Sequence, residues 1–320
     1  MTIYTDKEAS PTALEGARIA ILGYGSQGRA HARNLRDCGF DLVVGARPGS
    51  SAERKARADG FRVVAAAEAS AEADLVSLTA SEASHRAVYE KDIAPFVRRG
   101  ATLLVAHGFS IHYHHFDPRH DIDVVLVAPK GPGERVRREF EAGRGVLCLF
   151  AVRQDATGSA RARALAYARG ISGAGGRAIE TSFAEETETR LFASYALPQG
   201  TAPDSISAAI AILTEGGYQP EVACFQCFDE TKAILDLMHG AALGELVSDT
   251  RLVDDGARER MARLLGEIQD GRLAGFGPAG RARPGDDMVS GEADDRSAAT
   301  GTPPGQPIAW PNPQPEIRAA

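Results

Sequence analysis

The sequence predicts an α/β protein whose N-terminal part is a Rossmann-type, doubly wound parallel sheet and whose C-terminal part is all-helical. Three observations carry that prediction. The string GYGSQG at residues 23–28 joins an apolar run to a stretch of helix formers. Short Val and Leu runs then recur at helix-length spacing as far as Thr181. From Phe183 onward the strand signals stop and only helical periodicity remains.

Composition narrows the class of protein before any motif is used. The chain has 320 residues, enough for one large domain or two ordinary ones with a sizeable core. Its 43% hydrophobic and 25% charged content is that of a globular protein. A net charge of -7 without a sustained basic run argues against nucleic acid as a partner. No apolar stretch is long enough to cross a bilayer, and MTIYTDKEAS has no signal-peptide core, so no membrane association and a cytoplasmic location are expected. The four cysteines, Cys38, Cys148, Cys224 and Cys227, are too scattered for a disulfide framework. Cys224 and Cys227 form a CxxC without a second pair and read as packed thiols rather than a zinc site.

The first element is a buried strand over Ile19–Leu22 that turns sharply into a helix. In the GxGxxG spacing, Gly23 makes the tight turn, Gly25 leaves bare backbone beside a pyrophosphate, and Gly28 lets helix and strand pack closely. Amide groups at the helix start would hold the phosphates, so Gly23, Tyr24, Gly25, Ser26, Gln27 and Gly28 form the expected cofactor loop. The second strand, Asp41–Gly45, has no acidic residue at its end to meet a free ribose hydroxyl. Arg47, Ser50 and Ser51 stand there instead, which suits a 2'-phosphate and points to NADPH; an ordinary polar loop is the alternative.

Further strands are expected at Arg62–Ala65, Ala71–Leu78, Ala101–Ala106 and Asp123–Ala128, forming a parallel sheet covered on both faces. Ligands bind outside the carboxyl ends of such strands, which selects Thr79–Glu82, His107 with Gly108, and Pro129–Gly133. His107 would sit near the nicotinamide, Lys130 in a Gly/Pro loop of fixed shape, and Gly133 beside the cofactor. His112, His114, His115 and His120 are irregularly spaced and are read as a solvated segment without a role. A strand at Gly145–Val152, a helix at Ser159–Gly170 and a last strand at Ala178–Thr181 complete the sheet.

Helices are expected at Glu185–Tyr195, Pro203–Glu215, Glu221–Leu246 and Ala257–Ile268. The domains are therefore 1–181 for NADPH and 182–276 for substrate and dimerisation. The Gly-, Pro-, Ser- and Asp-rich tail, 277–320, has too little apolar surface to offset ordering and is expected to be disordered, with Ile308–Trp310 as a short docking patch.

GYGSQGRAHARNL, AHGF, APKGPG, EETET, LMHGA and SDT occur in this order, and from the first residues to about Ala274 the chain resembles the ketol-acid reductoisomerases. These are NADPH and magnesium enzymes of branched-chain amino-acid synthesis. The resemblance implies a knotted helical domain that pairs with a second copy to give a homodimer. It also implies two steps in one cavity, a metal-assisted alkyl shift and a hydride transfer, with His107, Lys130, Glu230 and Ser248 at substrate or cofactor. The tail has no counterpart.

The shift needs cations bridging two adjacent oxygens. The family holds its magnesium with an Asp and, four residues on, a Glu after EETET, and with two Glu on the next long helix. The matching positions here are Arg190, Ser194, Gln226 and Glu230, so only Glu230 is retained. A guanidinium in place of a carboxylate changes the local charge by two units and repels a divalent cation, so no metal centre is expected. Glu186, Glu188 and Asp229 are expected to be turned away, because each helical residue rotates about 100° from the last. Arg190 would instead grip a substrate carboxylate or polarise the group being reduced.

The expected activity is an NADPH-dependent reduction of the carbonyl or imine of a small carboxylate substrate of 2-oxo-acid type, without the alkyl shift, in specialised metabolism. A true reductoisomerase with a rearranged metal site is one alternative. A non-catalytic NADPH-binding or partner protein is another.

Overall fold

A parallel run of six strands positions everything else. In the computed structural model, β2 (Arg18–Leu22), β3 (Asp41–Gly45), β4 (Val63–Val64), β5 (Leu75–Leu78), β6 (Thr102–Val105) and β7 (Asp123–Pro129) lie side by side in the order β4-β3-β2-β5-β6-β7. All five pairings among them are parallel. This is the strand order of a dinucleotide-binding sheet, with the direction of winding reversing between β2 and β5. Leu75–Leu78, Thr102–Val105 and Asp123–Pro129 are buried along their whole length, because helices cover both faces. The structure describes residues 3–5, 11–196, 202–216, 219–220, 222, 227 and 255–273, all within the compact unit Met1–Arg281.

Each parallel strand is followed by a helix. These are α1 (Ser26–Asp37), α2 (Ser51–Ala58), α3 (Ala66–Glu72), α4 (Glu82–Val88, continued by a wider turn over Tyr89–Ile93), α5 (Phe109–His112) and α6 (Gly133–Glu141). With α7 (Ala160–Ser172), α1 and α6 cover one face over Ile19, Ile21, Phe150 and Tyr167. The opposite face buries Leu22, Val76, Leu78 and Ile93. The Tyr167 hydroxyl lies 2.8 Å from Ser77 Oγ and 3.1 Å from His31 Nδ1, all three groups being fully buried. Burial lowers the His31 pKa to about 4.

Three expectations about the sheet need correction. It is not wholly parallel, since β8 (Leu147–Gln154) runs antiparallel to β7. The excursion between them returns to the edge it left, Lys130 N donating to Leu147 O at 2.8 Å, so the chain can only run back. A two-residue strand, β1 (Ile3–Tyr4), also pairs antiparallel with β9 (Arg177–Glu180), giving a nine-stranded mixed sheet. Finally, Ala71 and Glu72 close helix α3 rather than open a strand, as Ala and Glu are helix formers.

Beyond β9 the described residues are helical: α8 (Phe183–Ala196), α9 (Ala202–Glu215) and α10 (Asp255–Gln269). α10 packs on α8, and Leu191, Ile268 and Phe109 form a small core that joins both to the sheet domain. Tyr113 seals it by donating its hydroxyl to Ile268 O at 2.8 Å. Of the expected helix Glu221–Leu246 only residues 222 and 227 are among the described residues, and the tail 277–320 lies outside them.

Candidate active site at the carboxyl edge of the sheet

The Gly loop has the geometry its spacing implies. Gly23 has φ +103°, and a Cβ there would lie 2.4 Å from Ala80 N. A Cβ on Gly28 would lie 2.0 Å from Gly23 O. Gly25 faces open space, with nothing within 4 Å of its ideal Cβ position. It caps α1 without a side-chain acceptor for the first amide groups. One tight turn, one close packing contact and one bare, donor-rich approach fit a dinucleotide pyrophosphate. From this turn a cleft of about 490 Å³ runs past the end of β3, and Arg47, Ser50, Ser51 and Ser84 line it.

Three residues of the expected cofactor set have a structural task. Tyr24 is buried against Phe61 and donates its hydroxyl to Asp59 Oδ2 at 2.8 Å, so only its backbone belongs to the loop. Gln27 donates Nε2 to Gly131 O at 2.8 Å and ties the loop to the turn before α6. Gly133 is needed for packing, because a Cβ there would come 2.1 Å from Ser26 O. Ser50 also caps α2, accepting from Glu53 N at 3.2 Å, which leaves its hydroxyl hydrogen for a ligand.

At the nicotinamide side, residues from four elements converge. His107 follows β6, Lys130 follows β7, Glu82 opens α4, and Glu186 and Arg190 lie one turn apart on α8. Glu82 Oε1 is the hub: Arg190 Nη2 donates to it at 2.7 Å, and His107 Nδ1 lies 2.7 Å from it on the other side. The His107 ring N–H is not aligned on that oxygen, so the contact is a close approach rather than a formed hydrogen bond. Glu186 is fully buried; its Oε2 accepts from Gly108 N at 2.9 Å. Its Oε1 lies 3.6 Å from Arg190 Nε and 3.8 Å from Lys130 Nζ. Gly108 permits this, since a Cβ there would be 2.5 Å from Thr187 Oγ1.

Electrostatics follow from the contacts. Burial pushes the Glu82 carboxyl up, but His107 and Arg190 outweigh it and hold the carboxyl below its ordinary range. Burial lowers the Lys130 ammonium, against the pull of Glu186. Behind His107, stacked on it at 5.5 Å, His85 is held between Ser110 Oγ (3.0 Å) and Ala80 O (3.1 Å), and burial lowers its pKa to about 4.

His107, Lys130 and Arg190 are therefore brought together as expected, whereas Glu230, Ser248 and Gln226 lie outside the described residues, as do the Ser194 side chain and Cys224. Glu186 is not turned away: it stands four residues before Arg190, and four helical residues return to the same face. Glu188 points elsewhere, to His112 Nε2 at 3.2 Å, and Asp229 lies outside the described residues. Glu82 and His85 had been given no role by the sequence, although Glu82 falls in the Thr79–Glu82 stretch that the strand-end rule selects. The Arg190 guanidinium lies between the buried carboxylates of Glu82 and Glu186 and repels a divalent cation at its own position. Among the described residues no cluster of three or more His, Cys, Asp and Glu could hold one, and no helix is long and apolar enough to cross a membrane.

Comparison with known proteins identifies the family. Residues 13–177 match the family model described as acetohydroxy acid isomeroreductase, NADPH-binding domain, and residues 183–275 match that of the ketol-acid reductoisomerase C-terminal domain. The curated ketol-acid reductoisomerase (NADP(+)) of Xanthomonas axonopodis pv. citri is 49% identical over 267 residues, 79% of this chain and 80% of that one. That of Xanthomonas oryzae pv. oryzae is 48% identical over the same span. The solved NADH-preferring ketol-acid reductoisomerase from an uncultured archaeon superposes with TM-score 0.79 at 31% identity, over 86% of this chain and 88% of that one. A semialdehyde dehydrogenase NAD-binding protein from Cupriavidus necator, at 17% identity and TM-score 0.61 over 80% of this chain and 98% of that one, shares the fold alone. With both of its halves matched and with relatives at nearly half identity, this chain belongs to the ketol-acid reductoisomerase family.

Proposed function

We propose that this chain uses NADPH to reduce the carbonyl or imine of a small carboxylate substrate at the carboxyl edge of the sheet, and that it does so without an alkyl shift. It is an NADPH-dependent oxidoreductase of its family, with the dinucleotide loop intact. The observation that carries the rest is Arg190, set 2.7 Å from Glu82 and 3.6 Å from Glu186, at a position that the sequence resemblance matches to a magnesium ligand of the family. A planar, permanent cation there suits bidentate capture of a carboxylate. Bound NADPH supplies the hydride, while this chain's residues orient the substrate. Lys130 and His107 are the groups placed to give a proton to a developing alkoxide.

A complete reductoisomerase with a rearranged metal site is the second reading. The relatives favour it over loss of the shift, since curated proteins at 49% identity carry that name. Acetolactate with NADPH and magnesium separates the two. Formation of dihydroxyisovalerate supports the complete enzyme and removes the reduction-only reading. NADPH oxidation by 2-oxo acids or imines with no product from acetolactate supports reduction alone. A homodimer through the helical domain belongs to both readings and is checked by sedimentation of the full chain.

A further inference from the structure

The donors and acceptors left over at this site are of opposite kinds and lie side by side. Glu82, with its side chain 5% exposed, has Oε2 buried without a donor, and Glu186, at 0%, has Oε1 in the same state. Arg190 Nε is a buried donor without an acceptor at hydrogen-bond distance. A buried carboxylate oxygen without a donor is costly, so these atoms call for a ligand that brings both an N–H or O–H and an anionic acceptor.

A 2-oxo acid answers only half of that demand. Its carboxylate suits Arg190 and Lys130, but its keto oxygen has lone pairs and no hydrogen, and would face bare carboxylate oxygens. A 2-imino acid answers both halves. Its carboxylate takes the guanidinium, and its protonated C=N presents N–H and positive charge to the acidic oxygens. Charge balance agrees. Glu82 and Glu186 are offset by Arg190 and Lys130, so a ligand of zero net charge, one carboxylate and one iminium, leaves that balance intact.

We propose that the group reduced here is a C=N bond, carried by a small 2-imino acid whose iminium N–H is held by Glu82 and Glu186 and whose carboxylate is held by Arg190. This rests on the reading of the chain as an NADPH-dependent reductase and names the substrate class within it. In the step, hydride passes from NADPH to the iminium carbon, the C=N π pair moves onto nitrogen as a lone pair, and NADP⁺ and the amino acid result. No proton donor is needed during the transfer; the amine takes its proton from water afterwards. The two carboxylates stabilise the cation that accepts hydride, and they would oppose formation of an alkoxide.

The test compares cyclic 2-imino acids with five- and six-membered rings against open-chain 2-oxo acids of the same carbon number, following NADPH oxidation by the full-length protein. The expected result is a kcat/KM at least about tenfold higher for the imino acids. Glu82→Gln and, independently, Glu186→Gln should each lower kcat/KM for the imino acid by about ten- to a hundredfold, mainly through KM, and so narrow its advantage over the oxo acid. Fluorescence titration with NADPH shows that each variant is folded. Equal or faster turnover of the 2-oxo acids overturns the C=N assignment and leaves the reductase reading standing, as does an equal loss on both substrates in the Gln variants. If the protein binds NADPH and consumes it with neither class, the reductase reading falls and takes this assignment with it.

Discussion

Arg190 is the residue on which the chemistry turns, and its two roles separate by kinetics. Arg190→Ala should raise KM for a carboxylate substrate by about tenfold or more, the loss expected for one charge-assisted bidentate contact, with a smaller change in kcat. Steady-state measurement with NADPH saturating checks this, and an unchanged KM would place the guanidinium outside the substrate's reach. The same position tests the metal argument. Arg190→Asp combined with Ser194→Glu introduces two carboxylates, the first of them beside Glu82 and Glu186, and calorimetry should then detect magnesium binding where the parent chain gives no comparable heat. At this scale the sequence was only half legible. His107, Lys130 and Arg190 could be found because each stands at a strand end or within a recognisable string. Glu82 could not be given its role, because its partners lie 25 and 108 positions along the chain, just after β6 and on α8, and no local pattern reports such a meeting. Tyr24 shows the converse, since a place inside the motif says nothing about where the side chain turns.

Among the elements, the strand–turn–helix unit from β2 to α1 was the most legible, because its three glycines are set by local geometry. That yields a prediction that divides them. Gly28→Ala forces a methyl to within 2.0 Å of Gly23 O, a backbone atom that cannot step aside, and should cost about 2 kcal/mol or more of stability. Gly25→Ala has open space for its methyl and should keep the parent's melting temperature while weakening NADPH binding, because the methyl stands where the pyrophosphate approaches. Thermal denaturation and NADPH titration of the two variants make the check; equal melting temperatures, or unaltered affinity in Gly25→Ala, would contradict the assignment. The direction of β8 was not legible for the converse reason. A strand's direction depends on the edge at which the chain re-enters the sheet, here fixed by Lys130 N to Leu147 O, and the apolar run itself reads the same both ways. β1, at two residues, is too short to show a period at all.

For the whole molecule, the buried histidines link folding to pH in a way that its net charge of -7 does not suggest. His31 lies on the buried face of α1 and His85 behind the site, and burial brings each to a pKa of about 4. An unfolded histidine titrates near 6.5. Between these values the unfolded chain binds protons that the folded chain refuses, so stability rises with pH through that window and is lost as pH falls. The slope approaches about 1.4 kcal/mol per pH unit for each histidine, or nearly twice that for the pair. Native carboxylates held low by their partners, such as Asp59 at about 2, add their own losses only at more acid pH. Urea denaturation between pH 5.0 and 6.5 therefore isolates the histidines. The unfolding free energy should rise steeply with pH across that range, and His31→Gln, which keeps a polar partner for the Tyr167 hydroxyl without a titrating group, should remove about half of the slope. A flat profile in the parent protein, or an unchanged slope in the variant, would mean that the imidazoles reach solvent and that the core around Tyr167 is looser than its geometry implies.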